Sequence, residues 1–467
     1  MGQRLLSVCR VAAVCFLVSG WTTASAQETD SSTTEAGVLK EEVEHLKGVV
    51  NDLSESATEY KGYVDFLRKI KLTGYIQAQF RLTDANAGPA SFAGGNFPAN
   101  TNKQIQIRRG RLKVNYDNVL TQYVLQIDAI PAGVSVRDAF ASITEPWLQS
   151  FGMQVGLFDR PFGYEISMSS SVRESPERSR LFQTLFPGER DIGAKLFYAP
   201  QIGNFSFLRV DAGVFNGTGL SASDFDNFKD IIGHVGIQIP FEEANASLDL
   251  GLSGYFGKVR NNTKYVWEHG TLASGLQGFV LDSSAANQSA GVSRTYLGFD
   301  LQFYYDVPLL GGLTLRGEVI AGTQPGASDS VRVGSAVGPS GKSLTTSSPG
   351  TQALGPIYKR DFLGWYVYLI QNIGSMDQII LKYDVYDPNA DADGSDFIAG
   401  SNLFTADVKY STLAVGLVHH WDENVKFVFY YESIKNERLN SSATGSLAQF
   451  VNDVKDNVFT FRTQVRF

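Results

Sequence analysis

The sequence predicts an all-β transmembrane barrel of about sixteen antiparallel strands, preceded by a short α-helical coiled coil. Three observations carry this. The chain opens on an export signal, it then holds sixteen segments of alternating polarity, and its last segment alternates up to a terminal aromatic residue.

The length of 467 residues suggests about three soluble domains, but a barrel is one domain at any strand number. A mean hydropathy of −0.10 fits a barrel, because only one face of each strand meets lipid. After residue 26 no run reaches roughly 18 apolar residues, so no transmembrane helix is expected. Residues 1–26 read as a secretory signal: Arg4 and Arg10 flank its start, an apolar run spans Val11 to Trp21, and Ala24-Ser25-Ala26 is a small-residue cleavage site. Cys9 and Cys15 both fall in this segment, so the mature chain is expected to work without disulfides. A lipoprotein site at Cys15 is disfavoured by Val14, which stands where a small residue is needed. Losing Arg4 and Arg10 takes the net charge from −8 to −10 (two cations fewer), which argues against a nucleic-acid partner.

Residues 27–37 are polar and read as a spacer. From 38 to 70 the apolar positions Leu39, Val43, Leu46, Val50, Leu53, Ala57, Tyr60, Val64 and Leu67 alternate in steps of four and three, the seam of a coiled coil. The alternative is one amphipathic helix packed on something else. Val at most a positions and Leu at most d positions nominally favours a dimer.

The barrel is expected over 71–467. In KLTGYIQAQFRLT, Leu72, Ile76, Ala78, Phe80 and Leu82 share one parity while Thr73, Gln77, Gln79 and Arg81 share the other. Such a strand has one apolar and one wet face. Similar segments lie near 71–83, 104–117, 121–130, 134–145, 151–159, 191–199, 205–216, 229–240, 246–259, 293–306, 313–324, 360–372, 377–387, 405–420, 425–435 and 456–467. Sixteen is even, as bacterial barrels require. Short connections such as 117–120, 200–204, 308–312 and 422–424 alternate with long ones at 84–103, 160–190, 260–292, 325–359, 388–404 and 436–455. Short periplasmic turns against long outer loops give that pattern. In the last segment Phe459, Phe461, Val465 and Phe467 share a parity, interrupted by Thr463.

The stretch from Gly156 to Pro200, GLFDRPFGYEISMSSSVRESPERSRLFQTLFPGERDIGAKLFYAP, resembles the phosphate-selective porin O/P family. The matching features are a strand ending in G-x-F, the Pro161-Phe162 step, a long Ser- and Arg-containing loop, and the return Arg190-Asp191-Ile192-Gly193. Gln106–Asp117, Tyr383–Asn389 and the C-terminal DNVFTFRTQVRF are similar to other stretches of that family. The resemblance covers about 71–467. It implies a sixteen-stranded, trimeric outer-membrane channel for small hydrophilic or anionic solutes, with its third long loop, about 160–190, folded into the pore. It also implies an N-terminal coiled coil, here in the periplasm, whose copy number the barrel would set against the dimer preference of the heptads. No cofactor is expected.

By alternation Arg81, Arg109, Arg111 and Lys113 point into the lumen, with Lys195, Arg209, Arg316 and Lys382 as further inward candidates. As a free basic ladder they would concentrate anions. Paired with the inward acids Asp128, Asp211, Asp249, Asp300, Glu318 and Asp384, they would only stiffen the wall; parity leaves both readings open. Constriction candidates are Asp159, Arg160, Arg173, Glu174, Glu177, Arg178, Arg180 and Arg190. From 160 to 190 five arginines face four glutamates, Glu165 and Glu189 included, whereas a dedicated phosphate site is more basic. Asp159 stands where the family tends to carry Lys. The expectation is therefore a general or mildly anion-preferring pore, in which an acid opposed to a base would orient polar solutes.

Other functions find less support. None of His45, His234, His269, His419 and His420 has metal-ligand spacing, and no nucleophile motif marks a hydrolase. Asn389, Asp391 and Asp393 resemble half of a calcium loop, but position 12 falls on Gly400, so an ordinary polar loop is the stronger reading. A structural or adhesive barrel is the main alternative to a channel. An energised transporter would need a plug, and about 25 residues per strand leave none.

Overall fold

The computed structural model describes residues 32–86, 88–201, 203, 205–220, 224, 226–328 and 355–467. The export signal and most of the 325–359 connection lie outside the described residues. Helix α1 (Ser32–Arg68) belongs, up to Leu67, to a unit separate from the barrel, which runs from Arg68 to Phe467. The helix starts inside the stretch read as a polar spacer.

The strands are β1 (Ile70–Thr83), β2 (Lys103–Asn118), β3 (Thr121–Ile130), β4 (Gly133–Thr144), β5 (Phe151–Asp159), β6 (Arg190–Tyr198), β7 (Leu208–Phe215), β8 (Asp230–Phe241) and β9 (Ala246–Arg260). They continue as β10 (Val266–Thr271), β11 (Gln277–Asp282), β12 (Gly291–Val307), β13 (Gly311–Gly326), β14 (Ile357–Ile373), β15 (Asp377–Asp387), β16 (Tyr410–His420), β17 (Val425–Asn436) and β18 (Val458–Arg466). Sixteen of them close a barrel: each pairs antiparallel with the next, β9 joins β12 directly, and β18 returns to β1 from Tyr75↔Arg466 to Thr83↔Val458. Closure leaves no sheet edge, which a bilayer requires.

Burial is inverted relative to a soluble core. Ile105 is 83% exposed and Leu72 57%, whereas Gln77 and Arg81 are 0%. Exposed apolar surface costs about 25 cal/mol per Å² in water, so a wall of this kind is stable only against lipid. Trp147, Phe205, Phe241, Trp421 and Phe467 are exposed at the short-turn rim, where an aromatic girdle sits in such barrels.

Three expectations need correction. The 260–292 connection is not a plain loop but carries the hairpin β10–β11, whose first strand adds in parallel to the outer end of β14 through Val266↔Ile357. Trp267 stacks on Tyr358 at 5.5 Å, so the hairpin has an apolar partner there. The strand expected over 405–420 begins at Tyr410, because Asp407 turns inward on a short 3₁₀ turn to meet Arg360. The connection between β3 and β4, on the long-loop side, is only a tight turn, so long loops do not occupy every second junction.

The outer connections pack on one another. Phe279, Tyr358, Phe397, Leu403, Leu439 and Phe450 form one apolar cluster from the hairpin, the outer end of β14, the 388–409 segment and the 437–457 segment. Beneath it Arg360 donates to Asp407 at 2.6 Å and to the Ala327 and Ser328 carbonyls, while Asn389 donates its amide to Asp407 at 3.2 Å. Arg360 and Asp407 are fully buried. At the edge of the cluster, burial pushes the Glu437 and Asp456 carboxyls up to about 7. Both lie above the usual carboxylate value of roughly 4. The packed loops thus hold the protons more tightly than the loosened ones, and their stability is greatest at acid pH and is lost as pH rises through 7. Proteolysis of 437–457, normalised to an unstructured peptide, should be slower at acid pH than at mildly alkaline pH; an equal rate would contradict this.

Candidate functional site

The segment between β5 and β6 crosses the lumen. It leaves β5 at Asp159 through Arg160 and Pro161 and makes a sharp step at Gly163, whose φ is +62°. A Cβ there would lie 2.2 Å from the Glu318 carboxylate, so the close approach requires glycine. The Tyr164 and Glu165 amides then donate to Glu318 on β13 at 3.0 and 2.6 Å, and the Gly163 amide to Ser253 on β9 at 2.8 Å.

Beyond this the loop reaches the far side. Gln77 on β1 donates to the Ser170 carbonyl at 2.9 Å, Gln464 on β18 to the Ser171 carbonyl at 2.8 Å, and Lys426 on β17 to the Arg173 carbonyl at 3.0 Å. Glu174 pairs with Arg316 on β13 at 2.7 Å. Three wall guanidiniums converge on Glu177: Arg108 at 2.8 Å, Arg109 at 2.8 Å and Arg462 at 2.9 Å. Burial pushes the Glu177 carboxyl up, but these three cations hold it well below the usual range.

Helix α2 (Arg180–Leu185) turns the loop back with Leu181, Phe182 and Leu185 buried. Its Phe182 and the Phe186 that follows it meet wall aromatics: Phe182 lies 6.1 Å from Tyr366, and Phe186 lies 5.8 Å from Tyr296. Arg180 points away from the pore, between the rings of Phe92 and Tyr410 in the outer segments. The return ends on Glu189, which accepts from Arg178, from Arg137 on β4 at 2.6 Å and from Arg190 at 3.0 Å. One side of the loop is thus held by charge and the other by aromatic packing.

Two wall arginines were missed by simple alternation. The β1–β2 register shifts between Gln77 and Ala78, which makes Arg108 an extra residue. The β3–β4 register shifts between Gln126 and Ile127, which does the same for Arg137. A bulge lets two successive side chains point inward, so Arg108 and Arg109, and likewise Arg137 and Asp138, both face the lumen. The signal is visible in β2: polar Gln104 and Gln106 hold one parity, and Arg109, Arg111 and Lys113 hold the other.

The basic ladder is mostly neutralised. Arg81 is taken up by the Ala93 and Gly95 carbonyls and by Gln104, and Arg109 by Glu177. Arg111 pairs with Asp128 at 3.1 Å and Lys382 with Asp384 at 2.7 Å. Lys195 and Arg209 share Asp211 at 2.8 Å each. Buried cations need partners; wall and loop supply counter-charges to all of these but Arg81, which meets only carbonyl and amide oxygens. Lys113 has neither: among the described residues it makes no hydrogen bond or ion pair. Asp159 pairs with Arg190 on its own side at 3.0 Å, so no opposed field arises there. Arg160 donates Nε to the Glu189 carbonyl, and its Nη2 is buried without a partner. Arg173 serves the loop itself, donating to the Ser175 and Pro176 carbonyls.

Below the loop, towards the short turns, lies a cavity of about 1080 Å³ bounded by β1–β9, β12, the end of β18 and residues 160–171. Seven cationic side chains line it (Arg111, Lys113, Arg160, Arg190, Lys195, Arg209, Arg466) against five carboxylates (Asp138, Asp159, Asp211, Asp249, Asp300). In the outer loop, Asp393 accepts from Ser395 and Asn389 turns to Asp407, so the calcium-loop candidates are used locally; Asp391 stays exposed. Among the described residues no cluster of metal-ligating side chains is present.

No protein-family model and no curated protein matches this chain. Solved structures do. OprB of Pseudomonas putida is 10% identical over 86% of this chain and 96% of its own, with a TM-score of 0.50. The anion-selective porin from Comamonas acidovorans is 13% identical over 85% and 99%, at 0.48. The outer membrane channel DcaP of Acinetobacter baumannii is 12% identical over 85% and 97%, at 0.47. The likeness to OprB shows the fold alone, a closed antiparallel barrel, here of sixteen strands.

Proposed function

We propose that the protein is an outer-membrane porin for passive diffusion of small hydrophilic solutes, with a mild preference for anions. The observation that carries this is the constriction loop, which crosses the lumen and is clasped by wall arginines while a large charged cavity stays open beneath it. An adhesive barrel has no need to narrow its lumen with charge. The anion preference rests on the surplus of cations: the loop is nearly neutral, but Arg108, Arg109 and Arg462 surround the single Glu177, and the cavity lining carries seven cations to five acids. The many acid partners argue for a general pore over a dedicated phosphate site.

In this reading the short-turn rim faces the periplasm, where α1 also lies, and the chain forms a homotrimer in outer-membrane lipid. Leu39, Val43, Leu46, Val50, Leu53, Val64 and Leu67 are exposed on α1 in the single chain, a seam that further copies would cover. One planar-bilayer experiment tests these points together. Insertion should give conductance in groups of three equal steps, and a salt gradient should give a reversal potential on the anion side. Absence of conductance would favour the adhesive alternative, single steps would remove the trimer, and a cation-side potential would remove the selectivity.

A further inference from the structure

Helix α2 is too short to hold itself in place. It spans six residues, and the Gln183 and Phe186 amides close its turns on the Ser179 and Phe182 carbonyls at 3.1 and 3.0 Å. Helices shorter than about 12 residues are marginal on their own, so packing decides where this one lies. The wall takes Leu181, Phe182 and Leu185, which are buried. Arg180 and Gln183 turn instead to the outer segments. Gln183 donates to the Phe92 carbonyl at 2.8 Å. The Arg180 guanidinium lies 4.4 Å from the centre of the Phe92 ring and 3.6 Å from that of Tyr410. Its Nε is buried with no hydrogen-bond partner, so ring faces stand where an acceptor would. Cation–π attraction is strongest for a cation desolvated in this way.

The two rings belong to separate parts of the outer face. Phe92 lies in residues 88–103, which Arg81 anchors by donating to the Ala93 and Gly95 carbonyls at 2.9 and 2.7 Å. Phe97 of the same stretch packs with Val458. Tyr410 opens β16 and lies 6.4 Å from Phe450 in the 437–457 segment. Arg180 thus joins the constriction loop to both parts at once. The loop's ion pairs to the wall lie at Glu174 and Glu177 before α2 and at Glu189 after it. A displaced outer segment therefore acts on α2 while both flanks of the helix stay fixed.

We propose, on the channel reading above, that Arg180 is a positioning residue for the constriction: it couples α2 to the outer segments, so that displacing those segments from outside loosens the α2 half of the loop. Two measurements on the full-length protein test this together, hydrogen exchange over residues 180–186 read by mass spectrometry in proteoliposomes, and single-channel recording. Phe92→Ala and Tyr410→Ala should each speed exchange over 180–186 severalfold and raise open-channel noise, although both positions are distant from the loop in sequence. Arg180→Gln should do the same, and adding Phe92→Ala to it should change little more, because both remove one contact. Arg180→Lys should recover most of the parent's behaviour, since it keeps a cation between the rings. Heat-modifiable gel mobility checks that each variant is folded. Parent-like exchange in folded Phe92→Ala, or fully additive effects in the double variant, overturns the coupling and leaves a porin whose constriction is held by its wall alone. Folded parent protein that conducts nothing overturns the channel reading, and the exchange rates still decide the coupling.

Discussion

Replacing Glu177 by Gln should make the pore markedly more anion-selective, increase its open-channel noise and destabilise the constriction loop. Arg108, Arg109 and Arg462 all meet this one carboxylate within 2.9 Å, and the Arg109 and Arg462 side chains are almost fully buried. An amide cannot balance three guanidiniums, and removing one member of a buried charged cluster costs about 3–5 kcal/mol. The loop also holds to Gln77, Gln464, Lys426 and Glu318, so it should loosen around Glu177 without leaving the lumen. Single-channel recording and reversal potentials read the change. Wild-type noise and selectivity in Glu177→Gln would show that the clasp does not set the constriction.

The second large effect is expected at the outer face. Asp407→Ala should release the 388–409 segment without disturbing the barrel. It leaves Arg360, which is fully buried, with carbonyl partners alone, and removes the acceptor of the Asn389 amide. The expected cost is again about 3–5 kcal/mol. It should fall on the loops, because the sixteen-strand ladder does not depend on Asp407. Protease added outside proteoliposomes should cut this segment in the variant and spare it in the parent. Glu268→Gln serves as the contrast: the Lys359–Glu268 pair is 3.1 Å long but exposed, and such pairs are worth about 0–1 kcal/mol. Equal protease resistance in Asp407→Ala and the parent would show that apolar packing alone holds the outer loops.

These sites differ in how far they can be read from sequence. Arg109, Arg111, Lys195 and Lys382 face the lumen because period-two alternation fixes their side, and parity is a local property. Their partners are not local. Asp128 and Asp211 lie on neighbouring strands and were visible as candidate acids, but Glu177 meets Arg462 across 285 positions of sequence. The inward tyrosines of β14 were obscured for another reason. Phe362, Tyr366 and Tyr368 are buried by the loop while Leu363, Val367 and Leu369 face outward, so both faces of that strand are apolar and alternation carries little signal. Arg108 and Arg137 were lost to bulges, which reverse parity in mid-strand.

By itself the sequence determined the barrel. Strand number, the wet inner parity and the helix with its heptads are all local or countable features, and each strand needs only its own alternation to know which face meets lipid. Only the tertiary structure decided whether the inward charges stand free or paired. That depends on where a loop of some thirty residues crosses the lumen, and its path is set by aromatic packing on β12 and β14 and by arginines from both ends of the chain.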